Sequence, residues 1–168
     1  MKLQELLIET RNADETYALG ACLADLLPAG TLIALRGELA SGKTCLVRGM
    51  ASRLASGVSV SSPTFTLVHE YGDGPEMVHL DLYRLTSLDE LVDLGYEEYF
   101  DSRKGICAVE WAERAEQLLP EKRLDLFLEH AGEDRRRVKL IDRGLLPEGW
   151  IETLKNAYSK NIGKGESP

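Results

Sequence analysis

The sequence has few cysteines and histidines, and it lacks a long apolar run. Its three cysteines, Cys22, Cys45 and Cys107, are far apart and form no C-x-x-C pair, which is typical of reduced thiols in a cytosolic protein. The three histidines show no metal-ligand spacing with them, so no transition-metal site is expected. No stretch approaches the roughly 18 apolar residues that a membrane-spanning helix needs, and residues 1–10 are too polar for a signal peptide. We therefore expect a cytoplasmic protein that does not contact a membrane.

Basic residues are fewer than acidic ones. The 168 residues include 20 Lys and Arg against 28 Asp and Glu, a formal net charge of −8. This is the wrong sign for a protein that binds a nucleic-acid backbone unaided. A basic cluster at residues 135–139 follows two acidic residues directly, which favours a solvated hairpin end. Length and composition predict one globular domain over residues 1–158 and a disordered polar tail over residues 159–168.

One eight-residue segment matches the phosphate-binding loop pattern G-x-x-x-x-G-K-[ST]. It reads Gly37-Glu38-Leu39-Ala40-Ser41-Gly42-Lys43-Thr44. It lies directly after the apolar run 31–35 and before a helix-compatible segment that starts at Cys45, which is the context that the pattern requires. The two glycines allow a tight turn whose backbone N–H groups point at a phosphate, and the following helix directs its positive end there. Lys43 would then reach the β- and γ-phosphates of a nucleotide, and the Thr44 hydroxyl would bind Mg²⁺.

Two predicted strands end in a carboxylate. They are Met77–Asp81 and Ile106–Glu110. A phosphate-binding loop needs an acidic residue on a neighbouring strand to place Mg²⁺, directly or through water. Open α/β sheets bind their ligands at the carboxyl ends of the strands. Asp81 and Glu110 are therefore both candidates for the metal site and for orienting the attacking water, and the spacing does not choose between them.

Three further observations concern the nucleotide. The segment Ser61-Ser62-Pro63-Thr64-Phe65 follows the loop's helix, where nucleotide switches place a hydroxyl that senses the γ-phosphate, although an ordinary polar loop is an equal alternative. Trp111, beside Glu110, either packs over the site or fills the core. The sequence contains no N-K-x-D or T-K-x-D element of the kind that reads guanine, which favours ATP over GTP.

The hydrophobic pattern predicts an α/β fold. Strands are expected at 6–9, 31–36, 66–71, 76–82, 106–110, 123–130 and 136–141. Helices are expected at 12–27, 43–55, 87–100 with an interruption at Gly95, 112–119 and 150–157. The predicted architecture is a three-layer sandwich like that of P-loop NTPases, with a mixed, mostly parallel central sheet and two antiparallel hairpins.

These motifs together resemble one protein family, the bacterial TsaE ATPases, over about residues 5–142. The motifs are the GELASGKT loop, Ser62-Pro63-Thr64-Phe65, His79-Leu80-Asp81-Leu82-Tyr83-Arg84 and Glu110-Trp111. The resemblance implies an ATPase, weak on its own, that is required for forming threonylcarbamoyladenosine at position 37 of tRNA. It also implies a hetero-complex with the proteins TsaB and TsaD, which carry out the transfer. Contact with tRNA would then be indirect, in agreement with the acidic charge.

The resemblance also assigns roles to residues of this chain. ATP would be bound by Gly37, Glu38, Leu39, Ala40, Ser41, Gly42, Lys43, Thr44 and Cys45, with Asn12 and Arg137 near the adenine. Mg²⁺ would be bound by Thr44, Glu110 and Asp81. Catalysis would involve Lys43, Asp81, Glu110 and Thr64, with Thr64 sensing the γ-phosphate. Arg84 is a candidate for an internal arginine finger.

Two positions depart from the family pattern. Ala40 occupies a position where a further glycine is common, and Cys45 one where a second Thr or Ser is usual. A methyl group at Ala40 narrows the loop, and a thiol is a poorer hydrogen-bond donor to phosphate than a hydroxyl. We expect these two residues to affect nucleotide affinity and rate.

Two other functions fit a phosphate-binding loop in a chain of this size. One is a nucleotide-gated, non-catalytic adaptor, in which the bound state rather than turnover controls assembly. The other is a small P-loop phosphotransferase, for which residues 135–137 are the candidate arginine-bearing lid. Phosphate release without a small acceptor would exclude the phosphotransferase.

Overall fold

The described part of the chain contains seven strands and five α-helices. The computed structural model describes residues 3–55, 57, 60, 67–72, 76–101 and 105–163. The strands are β1 (Gln4–Thr10), β2 (Leu32–Arg36), β3 (Val68–Tyr71), β4 (Met77–Asp81), β5 (Ile106–Glu110), β6 (Leu124–His130) and β7 (Arg136–Asp142). The α-helices are α1 (Ala13–Leu26), α2 (Lys43–Leu54), α3 (Asp89–Leu94), α4 (Tyr96–Phe100) and α5 (Trp150–Gly163), and Ala112–Leu118 form a 3₁₀ helix. Residues 61–66, which include Thr64, lie outside the described residues, as does most of the predicted turn between β3 and β4.

The seven strands form one sheet in the order β1-β7-β6-β2-β5-β4-β3. Strand β2 pairs in parallel with β5 and β6, and β4 pairs in parallel with β5. The β1–β7, β6–β7 and β3–β4 pairs are antiparallel. Among these described strands only β3 and β7 therefore run against the common direction, which confirms the predicted mixed, mostly parallel sheet and its two antiparallel hairpins.

The three-layer arrangement follows from the side chains of β2. Leu32 and Ala34 belong to a core that includes Leu91 of α3 and two alanines of the 3₁₀ helix. Ile33 and Leu35 belong to a second core on the other face, formed with α1, α2 and α5. A strand that is apolar on both faces must be covered on both faces. The end of β2, where the phosphate-binding loop begins, is thereby held between two packed layers.

Two glycines allow α1 and α2 to pack in close contact. A Cβ atom added at Gly20 would lie 2.0 Å from the Leu46 carbonyl oxygen, and one added at Gly49 would lie 1.9 Å from the Tyr17 carbonyl oxygen. Either substitution would push the two helix backbones apart. Since α2 starts directly after the loop, this contact places the first turn of α1 beside it.

The C-terminal helix is longer than the sequence predicts. Helix α5 runs to Gly163, so residues 159–163 are helical rather than part of a disordered tail, and residues 164–168 lie outside the described part. Trp150, Leu154 and Tyr158 are buried at helical spacing and pack α5 in the core. The Tyr158 hydroxyl also donates to Glu15 Oε2 at 3.4 Å. This aromatic anchor extends the helix beyond the point where the residues become polar. Among the helices that the structure describes, none has both the length and the apolar character to cross a bilayer.

A buried carboxylate fixes the end of β2. Asp125 accepts hydrogen bonds from Arg36 Nη1 at 2.5 Å, from Arg123 Nε at 2.9 Å and from Arg143 Nε. Glu116 of the 3₁₀ helix accepts from Arg36 Nη2 and, at 2.6 Å, from Arg123 Nη2. Burial by itself would raise the pKa of Asp125, but the hydrogen bonds from the three arginines hold this pKa below its ordinary value. Because Arg36 is the last residue of β2, this network sets the point from which the loop departs.

Replacing Asp125 with Asn should lower the free energy of unfolding by about 3–5 kcal/mol, because the buried Arg123 and the partly exposed Arg36 and Arg143 would lose the carboxylate that they share. Chemical denaturation near neutral pH measures the loss. Glu129→Gln is the matched control. Glu129 is exposed and lies 3.9 Å from Arg137 Nη1, so this change should stay within about 0.5 kcal/mol of the wild type.

The same variant should show a pH dependence of known sign. A carboxylate whose pKa is lower in the folded protein stabilises that protein at pH values above its unfolded pKa of about 3.9. This stabilisation is lost as the pH falls through the pKa of the folded state. The stability difference between wild type and Asp125→Asn should therefore shrink in acid. A difference below about 1 kcal/mol near neutral pH would contradict the role given to this network.

Candidate functional site

The eight-residue loop joins the end of β2 to the first turn of α2. Gly37 has φ 152° and Gly42 has φ 105°, both in the range that favours glycine. A Cβ atom at Gly37 would lie 2.5 Å from the Leu128 carbonyl oxygen and 2.6 Å from Ser41 Oγ, so a larger residue does not fit there. Helix α2 starts at Lys43, and its first backbone N–H groups have no partner within the helix. The segment therefore combines a glycine-dependent turn with the positive end of a helix.

The loop lines a cleft of about 560 Å³. The lining residues come from four parts of the chain: Ala13 and Thr16 of α1, residues 39–45, the strand-end group Asp81, Tyr83, Glu110 and Trp111, and Asp134 and Arg136 of the β6–β7 hairpin. Gly37 and Glu38 lie at the back of the loop, outside this lining. The structure thus brings the loop, both strand-end carboxylates and Trp111 together in one cleft.

The ammonium group of Lys43 is held by the loop itself. Its Nζ atom donates to the Gly37 carbonyl oxygen at 2.5 Å and to the Glu38 carbonyl oxygen at 2.9 Å. It also lies 4.2 Å from the centre of the Trp111 ring. Burial lowers the pKa of Lys43, although the Glu110 carboxylate opposes this. A phosphate group in the loop would compete with these carbonyl oxygens for the same donor.

The hydroxyl of Thr44 and the two strand-end carboxylates lie close together. Thr44 Oγ1 donates to Glu110 Oε1 at 2.7 Å. Asp81 and Glu110 are in-register partners on β4 and β5, and both are 2% exposed. Asp81 Oδ1 also accepts from the Tyr83 backbone N–H at 2.9 Å. These oxygen atoms are of the type that Mg²⁺ prefers.

Trp111 forms a wall of the cleft with Tyr83. The two ring centres are 4.9 Å apart with an interplanar angle of 43°, and Arg114 Cζ lies 5.8 Å from each ring centre. Trp111 has φ 57°, a conformation rare for a bulky residue, which turns its ring towards Lys43. Of the two alternatives left open by the sequence, the structure shows Trp111 over the site, with part of its surface packed against the core.

A comparison with protein families identifies this arrangement. The profile described as "Threonylcarbamoyl adenosine biosynthesis protein TsaE" matches residues 10–138, which include the loop, both carboxylates and Trp111. The chain belongs to the TsaE family. It is therefore a protein of tRNA threonylcarbamoyladenosine biosynthesis.

Individual TsaE relatives cover most of the chain. The TsaE protein of Bacillus subtilis is 39% identical over 153 residues, which are 90% of this chain and 95% of the relative. The TsaE protein of Synechocystis sp. is 45% identical over 118 residues, 68% of this chain and 73% of the relative. The crystal structure of YdiB from Bacillus subtilis superimposes with a TM-score of 0.71 at 32% identity, covering 96% of this chain and 99% of that one. This similarity confirms the predicted P-loop fold.

The structure does not bring Asn12 to the cleft. Asn12 caps α1, where its Oδ1 accepts a hydrogen bond from the Glu15 backbone N–H at 2.9 Å. The residues of this helix start that line the cleft are Ala13 and Thr16. In this TsaE chain Asn12 therefore affects the cleft only indirectly, because its cap sets the start of α1 and so the position of Ala13 and Thr16.

Arg137 also lies away from the cleft, whereas its neighbour Arg136 lines it. Arg136 Nη2 donates to the Ala40 carbonyl oxygen at 3.4 Å, whereas Arg137 Nη1 lies 3.9 Å from Glu129 on the other face of the hairpin. Successive strand residues point to opposite faces, so a shift of one position changes the face. The alternation along β7, in which Val138 and Leu140 are buried, is the signal that assigns Arg136 to the loop side. Arg84, the candidate arginine finger, does not line the cleft.

Both departures from the TsaE pattern have a structural counterpart. Ala40 has φ 62°, in the left-handed region that favours glycine, which explains why glycine is common there. The Cys45 thiol donates to the Ala13 carbonyl oxygen at 3.3 Å. In this position Cys45 links the start of α2 to the start of α1.

Replacing Ala40 with Gly should raise the free energy of unfolding by about 0.5–1 kcal/mol, since the release of left-handed strain exceeds the entropy cost of glycine. Ala18 is the matched control, because it lies within α1. Ala18→Gly should lower stability by about 1 kcal/mol. Denaturant titration of both variants measures the two changes, and the same sign for both would contradict the strain at Ala40.

Proposed function

We propose that this protein is the Mg²⁺-dependent ATPase subunit required for forming threonylcarbamoyladenosine at position 37 of tRNA, and that it acts on a complex of TsaB and TsaD. The observation that carries this proposal is the convergence of Lys43, Thr44, Asp81 and Glu110 on one cleft beside a glycine-dependent loop. The net charge of −8 supports a role in which the partners, rather than this chain, contact tRNA. The three free cysteines support a cytoplasmic location.

The cleft suits a nucleotide in size and charge. A volume of about 560 Å³ lies within the range of about 300–1,000 Å³ that small-molecule sites occupy. The polyphosphate would lie in the turn between Gly37 and Gly42, where the backbone N–H groups and the N-terminus of α2 favour negative charge. Lys43 would exchange its carbonyl partners for phosphate oxygens. We assign Arg136, rather than Arg137, as the arginine near the nucleotide, because it reaches the outer side of the loop.

The oxygen donors fit Mg²⁺. Within the described ranges, no group of three or more His, Cys, Asp or Glu side chains is arranged to hold a metal by itself. That agrees with Mg²⁺, which retains several waters and is bound through one or two carboxylates together with phosphate oxygens. Thr44, Glu110 and Asp81 would hold the ion, and when bound it would offset negative charge on the phosphoryl oxygens.

Hydrolysis requires a water molecule in line with the γ-phosphate. Glu110 or Asp81 would orient this water, while Lys43 and the loop N–H groups stabilise the charge that develops on the phosphoryl oxygens. Arg136 donates to the carbonyl oxygens of Glu133 and Arg135 as well as to that of Ala40. Because Arg136 is bonded to these backbone carbonyl oxygens, it is not positioned to stabilise the transferred phosphoryl group. We propose that contact with the partner complex completes the site, and that turnover by the isolated protein is slow.

Lys43→Ala and Glu110→Gln should each lower partner-dependent phosphate release by at least about 100-fold, because each removes charge stabilisation or water orientation in the reaction. The measurement is phosphate release from ATP with and without TsaB and TsaD. Lys139→Ala is the control, since Lys139 is an exposed lysine that forms an ion pair with Glu5 on the outer face of the sheet, away from the cleft. Normal turnover by either site variant would refute the role assigned to that residue.

The same variants separate the two alternative functions. If Glu110→Gln binds ATP without hydrolysing it and still supports full tRNA modification, the protein is a nucleotide-gated adaptor. Release of inorganic phosphate in the absence of any small acceptor excludes a phosphotransferase. Phosphate release that depends on an added metabolite would favour the phosphotransferase instead.

Cys45 provides a chemical test of nucleotide binding. Burial raises the pKa of its thiol, so iodoacetamide should react more slowly with it than with an ordinary cysteine, and faster as the pH rises from about 7 to about 9. Mg·ATP should slow this reaction further because Cys45 lines the cleft. Cys22 and Cys107 are buried internal controls that should stay unmodified while the protein is folded. Equal rates with and without Mg·ATP, followed by mass spectrometry, would contradict binding in this cleft.

A further inference from the structure

Within the described residues, a buried histidine beside the candidate site makes no hydrogen bond through either ring nitrogen. His79 lies on β4 two residues before Asp81, so both side chains point to the same face of the sheet. Its side chain is fully buried, and in the described part of the chain neither ring nitrogen makes a hydrogen bond. Buried polar atoms nearly always have a partner, and an unpaired one lowers stability. An apolar residue would avoid this loss, so the imidazole needs another explanation.

The explanation lies in its distance from Glu110. His79 Nε2 is 3.5 Å from Glu110 Oε1, just beyond hydrogen-bond range. The same Oε1 atom already accepts from Thr44 Oγ1 at 2.7 Å and has a second lone pair. The in-register neighbour of His79 on β5 is Ala108, which offers no side-chain acceptor. A closure of about 0.5 Å would give an ordinary N–H···O bond.

We propose that His79 is a positioning residue that donates from Nε2 to Glu110 Oε1 and, together with Thr44, fixes the plane of that carboxylate. This inference rests on the proposed function, because it gives Glu110 its orientation for binding a metal or directing a water. Catalytic hydrogen bonds are often long in unliganded proteins and tighten in the reactive complex. Carboxylates that bind metals are themselves held by hydrogen bonds from surrounding groups. The proposal requires a proton on Nε2, the ring nitrogen that lies 3.5 Å from Glu110 Oε1.

Three substitutions separate positioning from packing. Gln places an amide nitrogen near the position of Nε2, Asn places one near Nδ1, and Leu fills the space with no donor. His79→Leu and His79→Asn should lower kcat for partner-dependent ATP hydrolysis by about 10–100-fold, with little change in the KM for ATP. His79→Gln should retain kcat within about threefold of the wild type.

Thermal unfolding supplies the control for folding. His79→Leu should melt at or above the wild-type temperature, because it removes two unpaired buried polar atoms. A variant that is more stable yet slower is the signature of a positioning role. If His79→Leu loses stability and kcat together, or if His79→Gln is as slow as His79→Leu, the proposal is overturned.

A second readout does not depend on activity. Nitrogen-15 NMR of the nucleotide-free protein should show a proton on His79 Nε2, and Glu110→Gln should shift that Nε2 signal. Adding Mg·ADP should move the Nε2–H proton resonance downfield as the hydrogen bond shortens. A proton on Nδ1, or an Nε2 signal that does not respond to Glu110→Gln, overturns the proposal.

The two proposals fail in different ways. If the wild type releases no phosphate with TsaB and TsaD, the ATPase function fails, while the NMR result still tests the contact between His79 and Glu110. If the wild type hydrolyses ATP and His79→Leu does so at the same kcat, the ATPase function stands and the role of His79 is refuted.

Discussion

The end of β2 is the constraint on which the rest of the structure depends. This strand lies between β5 and β6, and its alternating side chains enter two different cores. Its last residue, Arg36, is held by the buried Asp125. The loop that starts at Gly37 therefore leaves from a rigid point, and the contact of α1 with α2 fixes where it ends. Because both ends of the loop are fixed, its backbone N–H groups are preorganised.

The carboxylate pair is a second consequence of the same sheet. Strand β5 is the parallel neighbour of β2, and β4 is the parallel neighbour of β5, so the carboxyl ends of all three strands meet at the edge where the loop departs. Asp81 and Glu110 are in register, and a slip of one residue would turn one of the two carboxylates to the opposite face. His79 lies on the same face as Asp81, so the register that pairs the acids also brings its imidazole near Glu110.

The features that depend on local sequence were predictable. The glycine pattern of the loop, the strand Ile106–Glu110 and the two hairpins follow from short patterns, and the structure confirms each of them. The features that depend on tertiary contacts were not. The bond between Arg36 and Asp125 joins residues 89 positions apart, and the extra turn of α5 depends on Tyr158 packing in the core. The role assigned to Thr64 stays a prediction, since that residue lies outside the described ranges.

The assignment of Arg136 shows that a basic cluster in the sequence does not reveal which face of a strand each side chain occupies. The cluster at 135–139 predicts a basic hairpin, but the position of each side chain follows only from the sheet. On the outer face of the sheet, Arg135, Arg137 and Lys139 form ion pairs with Glu9, Glu129 and Glu5, respectively. Arg136 alone of this cluster lines the cleft.

Three polar side chains of the cleft are hydrogen-bonded to other protein groups. Lys43 is bonded to loop carbonyl oxygens, Thr44 to Glu110, and Arg136 to the Ala40 carbonyl oxygen. On the proposed function, ATP has to replace the first and third of these contacts with phosphate oxygens, so only the difference between old and new bonds contributes to its affinity. If the proposed function holds, ATP would therefore bind with less net energy than the number of new contacts suggests.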